Sequence, residues 1–213
     1  MSVLPEGYAA VGCFILDANG SKSALAAKMA GDVVLLDVGA YTANVFRLHN
    51  GAFNPADLPQ SSIANGGGNT HLRLPLLEWV HGAGGDLTAV TLDDIDKVLR
   101  LSSVSGNYEV SGDYILRFGA AEINLKPMLD HLGKQYADWL ANNALDTRYD
   151  GLKDISGLLI VGGNADYIMP HLQQWYGKVI DYTGWREFAG LHPADLNAAG
   201  GLRLAQARLA AKK

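Results

Sequence analysis

The sequence predicts an α/β domain built on a mixed β-sheet. Three observations carry this. One apolar run, Val33 to Leu36, ends at Asp37 and a small-residue turn. A second, Leu158 to Val161, ends at Gly162-Gly163. Amphipathic helical stretches lie between and after them. Short apolar runs closed by turn residues read as buried strands, and alternating strands and helices give a layered α/β order.

Each element follows from local chemistry. Residues 5–16 are apolar and Ala-rich and predict a helix, with Pro5 near its start, where a missing N–H is tolerated. Asp17-Ala18-Asn19-Gly20 is a turn, and residues 23–30 form a short helix or a connector. Residues 33–37 and 43–49 make a hairpin, and Asn50-Gly51 starts another turn. A third strand is expected between residues 52 and 62, interrupted by Pro55 and Pro59. Gly66-Gly67-Gly68 opens a helix that runs to about His81. Residues 91–101 predict a helix with Thr91 as N-cap and Asp93 and Asp94 in its first turn. Residues 108–118 alternate as strands do, and residues 120–144 predict a long amphipathic helix with Pro127 early in it. Strands at 158–161 and 178–181 and helices at 165–175 and 196–211 complete the order. The expected core is a five-stranded mixed sheet with 33–37 and 158–161 as adjacent inner strands. Residues 85–118 interrupt it as an inserted subdomain.

Composition narrows the function classes. A chain of 213 residues that is 48% hydrophobic can bury a real core. Its net charge of −5 gives no basic balance for nucleic acid, so direct nucleic-acid binding is not expected. The lone cysteine, Cys13, excludes an internal disulfide framework and a Cys-rich zinc site. No apolar run reaches the length of a membrane span, and no basic-then-apolar leader opens the chain, so a cytoplasmic protein is the expectation. The six histidines are scattered without metal-ligand spacing.

Two segments carry chemistry. Asp37 sits at the carboxyl end of its strand, where open α/β sheets place ligands. Gly39, in the turn Gly39-Ala40-Tyr41-Thr42, lets backbone N–H groups approach a phosphate, and Asp37 can hold a hydrated magnesium ion beside it. The same residues also read as a plain β-hairpin with a polar turn. In the second segment, Gly162-Gly163-Asn164 lets a flat ligand lie against backbone at a helix N-terminus. A structural tight turn explains Gly-Gly equally. The segment has neither the Gly-x-Gly-x-x-Gly of a dinucleotide fold nor the Lys-Ser/Thr ending of a P-loop.

Taken in order, these motifs resemble those of the actin-like ATPases, the group of actin, MreB and the ParM-type plasmid-segregating proteins, whose core is ribonuclease H-like. Asp37-Val38-Gly39-Ala40-Tyr41-Thr42-Ala43-Asn44-Val45 is similar to that superfamily's second phosphate motif. Val161-Gly162-Gly163-Asn164-Ala165 is similar to its adenosine motif, and Asn197-Ala198-Ala199-Gly200-Gly201-Leu202 to the Asn-Ala-x-Gly segment that follows. The segment from Pro5 to Gly12 is similar to the connecting helix, where Glu6 would stand for the residue that positions the attacking water. The resemblance spans nearly all of residues 1–213 and corresponds only to the second domain of such a protein.

That resemblance implies a nucleotide-binding domain of a filament-forming ATPase of plasmid-segregation or cytoskeletal type. ATP, or GTP, would be held with Mg2+. Glu6 and Asp37 would be the catalytic residues. Gly39, Ala40, Tyr41, Thr42, Gly162, Gly163 and Asn164 would contact nucleotide, and Asp37 would reach the metal through water. Two departures stand out: Asn44 replaces an acidic residue or histidine, and Tyr41 replaces a glycine. Asn can hydrogen-bond a water but cannot take its proton. The first phosphate-binding domain is expected to be missing, so the chain would be incomplete for hydrolysis alone. Its expected partners are filament protomers or other copies of itself, and the missing domain or a protein supplying it. Residues 5–16 would then lie at an interdomain hinge, with some of Val11, Phe14 and Ile15 losing cover. An alternative function is a non-catalytic protein-interaction module that keeps the fold.

Overall fold

The computed structural model describes residues 7–102, 114–182, 188 and 191–211. The central strand β1 (Asp32–Val38) is buried on both faces, which is why its sequence is a continuous apolar run rather than an alternating one. Strand β2 (Ala43–His49) returns antiparallel to it, with Asp37 opposite Asn44. The proline-bearing stretch after it does not make one strand. Pro55–Gln60 is a 3-10 turn, because Pro55 and Pro59 cannot donate to a ladder, and it leaves two dipeptide strands, β3 (Ala52–Phe53) and β4 (Ser62–Ile63), on the outer edge of β2. On the other side of β1 runs β7 (Gly157–Val161), fully buried and parallel, with Asp37 opposite Val161. The mixed five-stranded sheet therefore has β1 and β7 as neighbours, as the sequence predicted. Beyond β7 the expected strand at 178–181 is reduced to a single bridge, Val179 to Leu158.

The helices follow the predicted order with one correction. The segment at 120–124 is not helical: β5 (Ile115–Phe118) and β6 (Ala121–Asn124) form a separate hairpin, turned at Gly119 with φ 58°. Helix α4 (Lys126–Leu140) starts only at Lys126, with Pro127 in its first turn, where it is tolerated, and a π-turn at Ala141–Asp146 leads from it to the one-turn helix α5 (Thr147–Tyr149). Of the strand expected over 108–118, residues 108–113 lie outside the described residues, as do 103–113 of the expected inserted subdomain. Helix α2 (Leu74–Gly82) is entered through a π-turn at Asn69–Arg73 that follows the triple glycine. Helix α3 (Leu92–Ser102) is capped as expected: the Asp94 amide donates to Thr91 Oγ1, and the Asp94 carboxylate accepts from the Thr91 amide at 3.0 Å. Helix α6 (Ala165–Tyr176) follows β7 and crosses α4 where Gly133 lies against the Tyr167 carbonyl.

The short helix α1 (Val11–Ile15) and the closing helix α7 (Leu196–Ala210) cross in backbone contact. A Cβ at Gly12 would stand 2.3 Å from the Gly200 carbonyl oxygen, and one at Gly200 would stand 2.0 Å from the Ala9 oxygen. Arg203 on α7 donates to the Cys13 and Leu16 carbonyls at 3.1 and 2.8 Å, satisfying the end of α1. Phe14 packs among Tyr182 and Phe188, with ring centroids 5.2 and 4.9 Å away. Val11 and Phe14 are consequently 0% exposed and Ile15 is half-buried. Of the three residues expected to share a loss of cover, Val11 and Phe14 are covered by α7 and the aromatic pair of this same chain, and Ile15 is the one left partly exposed. Among the described residues no helix is long and apolar enough to cross a membrane.

Candidate functional site

The site forms at the carboxyl ends of β1 and β7, where two parallel strands release their turns side by side. Asp37 is only 5% exposed. Two glycines close on its carboxylate: a Cβ would fall 2.8 Å from Oδ2 at Gly7 and 2.5 Å from Oδ1 at Gly162. Both have positive φ, 85° and 93°, so glycine is required there for conformation as well as for space. Asn197 Nδ2 donates to Asp37 Oδ2 at 3.2 Å, while Asn197 Oδ1 accepts from the Ala10 amide at 3.1 Å. One side chain thus ties α7, the entry to α1 and the end of β1 together.

The turn Gly39-Ala40-Tyr41-Thr42 is closed by the Gly39 amide donating to the Thr42 carbonyl at 2.9 Å. Its own first carbonyls point into the protein. The amides of Gly68 and Asn69 donate to the Gly39 and Ala40 oxygens at 2.9 and 2.7 Å. Asn164 Nδ2 adds a bond to the Gly39 oxygen at 2.8 Å. The N–H groups of Ala40, Tyr41 and Thr42 have no acceptor among the described residues. The loop therefore has the Gly39, Ala40 and Thr42 carbonyls engaged and, among the described residues, three successive donors unengaged, the polarity an anion needs. Tyr41 stands out from it, 84% exposed.

Asn164, at the N-terminus of α6, is fully buried and fully used. Its amide nitrogen donates to the Val38 and Gly39 carbonyls at 3.0 and 2.8 Å, and its oxygen accepts from Arg73 Nη1 at 2.6 Å. Arg73 Nε in turn bonds Asp96 on α3. The glycine run lies beneath the loop: a Cβ at Gly67 would stand 2.2 Å from the Tyr41 carbonyl carbon, and one at Gly68 would stand 2.2 Å from Asn164 Nδ2. Tyr136 on α4 donates its hydroxyl to the Gly66 carbonyl. Burial pushes that phenol well above its ordinary value, with the Arg73 charge pulling it down and the Asp37 charge pushing it up. The His71 ring stacks on Tyr136 at 4.7 Å, with its Nε2 2.8 Å from the Asn65 carbonyl, so the neutral Nε2–H tautomer fits the bond. Burial lowers the His71 pKa, favouring that neutral form.

The structure brings Asp37, Gly39, Ala40, Thr42, Gly162, Gly163 and Asn164 to one edge of the sheet. Glu6 lies outside the described residues; its neighbour Gly7 is the residue packed on Asp37. Sequence reasoning gave no role to Gly7, Arg73 or Asp96, and read Gly66-Gly67-Gly68 only as a helix opening. Three glycines in a row before a helix did signal a close backbone approach. No spacing signal could have joined Arg73 to Asp96 or Asn164. Two open clefts, about 730 and 440 Å3, lie elsewhere and share no lining residue with this site.

Among the described residues no cluster of three metal-ligating side chains exists. Magnesium commonly keeps several waters and takes one or two carboxylates plus phosphate oxygens, so Asp37 alone fits it.

No protein-family model matches the sequence, and no curated protein matches it. Solved structures do. The actin-like protein Alp7A superimposes with a TM-score of 0.67 at 17% identity, over 97% of this chain and 53% of that one. The ParM designated pCBH, solved as a non-polymerisable quadruple mutant, gives 0.65 at 15% identity over 96% and 54%. Bacillus thuringiensis ParM, solved with AMPPNP, gives 0.64 at 16% identity over 97% and 54%. The chain spans about half the length of these proteins. Its fold is that of the actin-like proteins, carried by nearly all of its own residues and matching one half of theirs.

Proposed function

We propose that the chain is the nucleotide-binding second domain of an actin-like, filament-forming ATPase and is incomplete for hydrolysis alone. One observation carries the reading: the loop from Gly39 to Thr42 holds three N–H donors that are unengaged among the described residues, beside Asp37 and Gly162. Phosphate oxygens of ATP, or GTP, would take those donors. The nucleoside would rest on Gly162-Gly163, where no Cβ obstructs it. Asp37 would orient magnesium-bound water, and magnesium would supply neutralisation of the phosphate charge. Glu6 would orient the attacking water. Phosphoryl transfer depends chiefly on positioning and charge stabilisation, so a phosphate clamp with one loop is expected to bind weakly and turn over little. A second domain or a partner would supply the rest. Self-association into filaments is supported by the likeness to a ParM whose solved form is a non-polymerisable mutant. Plasmid partition or a cytoskeletal role would follow from such filaments.

A titration of the 15N-labelled chain with magnesium-ATP tests the reading even if binding is only millimolar, about −4 kcal/mol. Shifts should cluster on the amides of Ala40, Tyr41, Thr42 and Gly163. Silence at those amides in millimolar nucleotide would reject it. The alternative of a non-catalytic interaction module draws support from Tyr41, whose exposed ring occupies the tip of the loop.

A further inference from the structure

Arg73 is a cation bonded to Asn164 at the root of this site. Its side chain is only 12% exposed. Nε is taken by Asp96 and Nη1 by Asn164 at 2.6 Å, but Nη2 has no acceptor among the described residues. Asp96 is the carboxylate paired with it, and at 43% side-chain exposure that carboxylate is shared with solvent. The guanidinium is therefore held in a fixed plane by two partners, with one edge unassigned. Its partner Asn164 carries the carbonyls of Val38 and Gly39, the root of the loop with unengaged N–H groups. A multiply charged phosphate beside a buried Asp37, in a chain of net charge −5, is held better when a protein cation adds to the charge that magnesium supplies. A guanidinium has only donors, which suits a phosphate oxygen better than a ribose hydroxyl.

We propose that Arg73 is a ligand-contacting residue: its unassigned Nη2 edge takes a phosphate oxygen of the bound nucleotide, and Asp96 is the residue that positions it. This rests on the nucleotide reading above. It also makes the loop and α3 respond together, because Asp96, Arg73, Asn164 and the Gly39 carbonyl form one hydrogen-bonded chain.

The test titrates the full chain, followed by amide shifts, with adenosine, ADP and ATP in magnesium. Arg73→Gln should weaken ATP by about 10- to 100-fold, the worth of a hydrogen bond to a charged group, and leave adenosine nearly unchanged. Arg73→Lys keeps the charge but loses the fork and should fall between. Asp96→Asn, at the solvent end of the chain, should give a smaller loss of ATP in the same order. Exchange of the Gly68 and Asn69 amides, measured without ligand, reports whether the loop itself is intact. Equal losses for adenosine and ATP would overturn the assignment, as would unchanged ATP affinity in Arg73→Gln. A wild-type chain silent to all three ligands would instead reject the nucleotide reading itself. If Arg73→Gln does not fold, the ATP-to-adenosine ratio in Arg73→Lys decides in its place.

Discussion

Replacing Gly200 by alanine should destabilise the fold, although alanine is the better helix former. Gly200 lies inside α7 with an ordinary helical φ, so propensity alone favours Gly200→Ala by about 1 kcal/mol. Against this, the new Cβ would stand 2.0 Å from the Ala9 carbonyl oxygen and 3.1 Å from the Ala10 Cα. Both are backbone atoms that no rotamer change can move. Relief requires α1 and α7 to separate by roughly 1 Å, an overpacking that costs about 1–3 kcal/mol. The separation also stretches the bonds from Ala10 to Asn197 and from Asn197 to Asp37, which begin at 3.1 and 3.2 Å. Losing them costs about 1–3 kcal/mol more. The net expectation is a loss of about 1–5 kcal/mol, or a fall in Tm of about 2–20 °C for a domain of this size. Thermal and urea melts of the wild type, Gly200→Ala and a control, Gly82→Ala, measure it. A Cβ at Gly82 meets nothing within 4 Å, so the control should be neutral or slightly stabilising. If Gly200→Ala behaved like the control, the helix crossing would not be held by backbone contact and this reasoning would be wrong.

Two further outcomes follow from buried groups. Asn164→Ala removes three side-chain bonds from a fully buried position and leaves Arg73 Nη1 without its acceptor, while the Val38 and Gly39 carbonyls keep only their backbone donors. It should cost about 2–4 kcal/mol in urea melts and speed exchange of the Gly68 and Asn69 amides; unchanged exchange would show that the loop does not depend on it. Cys13 is pushed from 9.0 to about 11, mainly by burial with Arg203 opposing, so at pH 8 only about one thiol in a thousand is ionised. Iodoacetamide should modify it slowly until denaturant is added. Because the folded pKa is raised, its stabilising contribution is complete below pH 9 and is lost as pH rises towards 11. Rapid labelling of the folded chain at pH 8 would contradict this burial.

The strand order was legible because it is written in short range. Val33 to Leu36 and Leu158 to Val161 are unbroken apolar runs, and strands buried on both faces must be so. Their ends were legible too, since Asp37 and Gly162 interrupt those runs with residues that an apolar strand does not need. The error at 120–124 has a physical cause. Ala121, Ile123 and Leu125 alternate with the period of a strand, and on a helix only Ala121 and Leu125 would share a face, so the long amphipathic pattern after them was extended too far back. Pairing with Ile115–Phe118 decided for the strand. The prolines at 55 and 59 were recognised as strand breakers, but whether anything extended survived between them depended on the edge of β2 offering partners.

By itself, then, the sequence determined the two central buried strands, which turn carries the acidic residue, and that a glycine-bearing turn closes each of those strands. Those properties arise from neighbours along the chain: apolar periodicity, turn chemistry and missing Cβ atoms. Only the tertiary structure decided what surrounds Asp37, because Gly7, Gly162 and Asn197 come from three distant segments. It likewise joined Arg73 to Asp96 and Asn164, residues 23 and 91 positions away. Contacts of that separation exist only once the sheet and helices have packed. A charged side chain in sequence carries no mark of the partner that packing will bring to it.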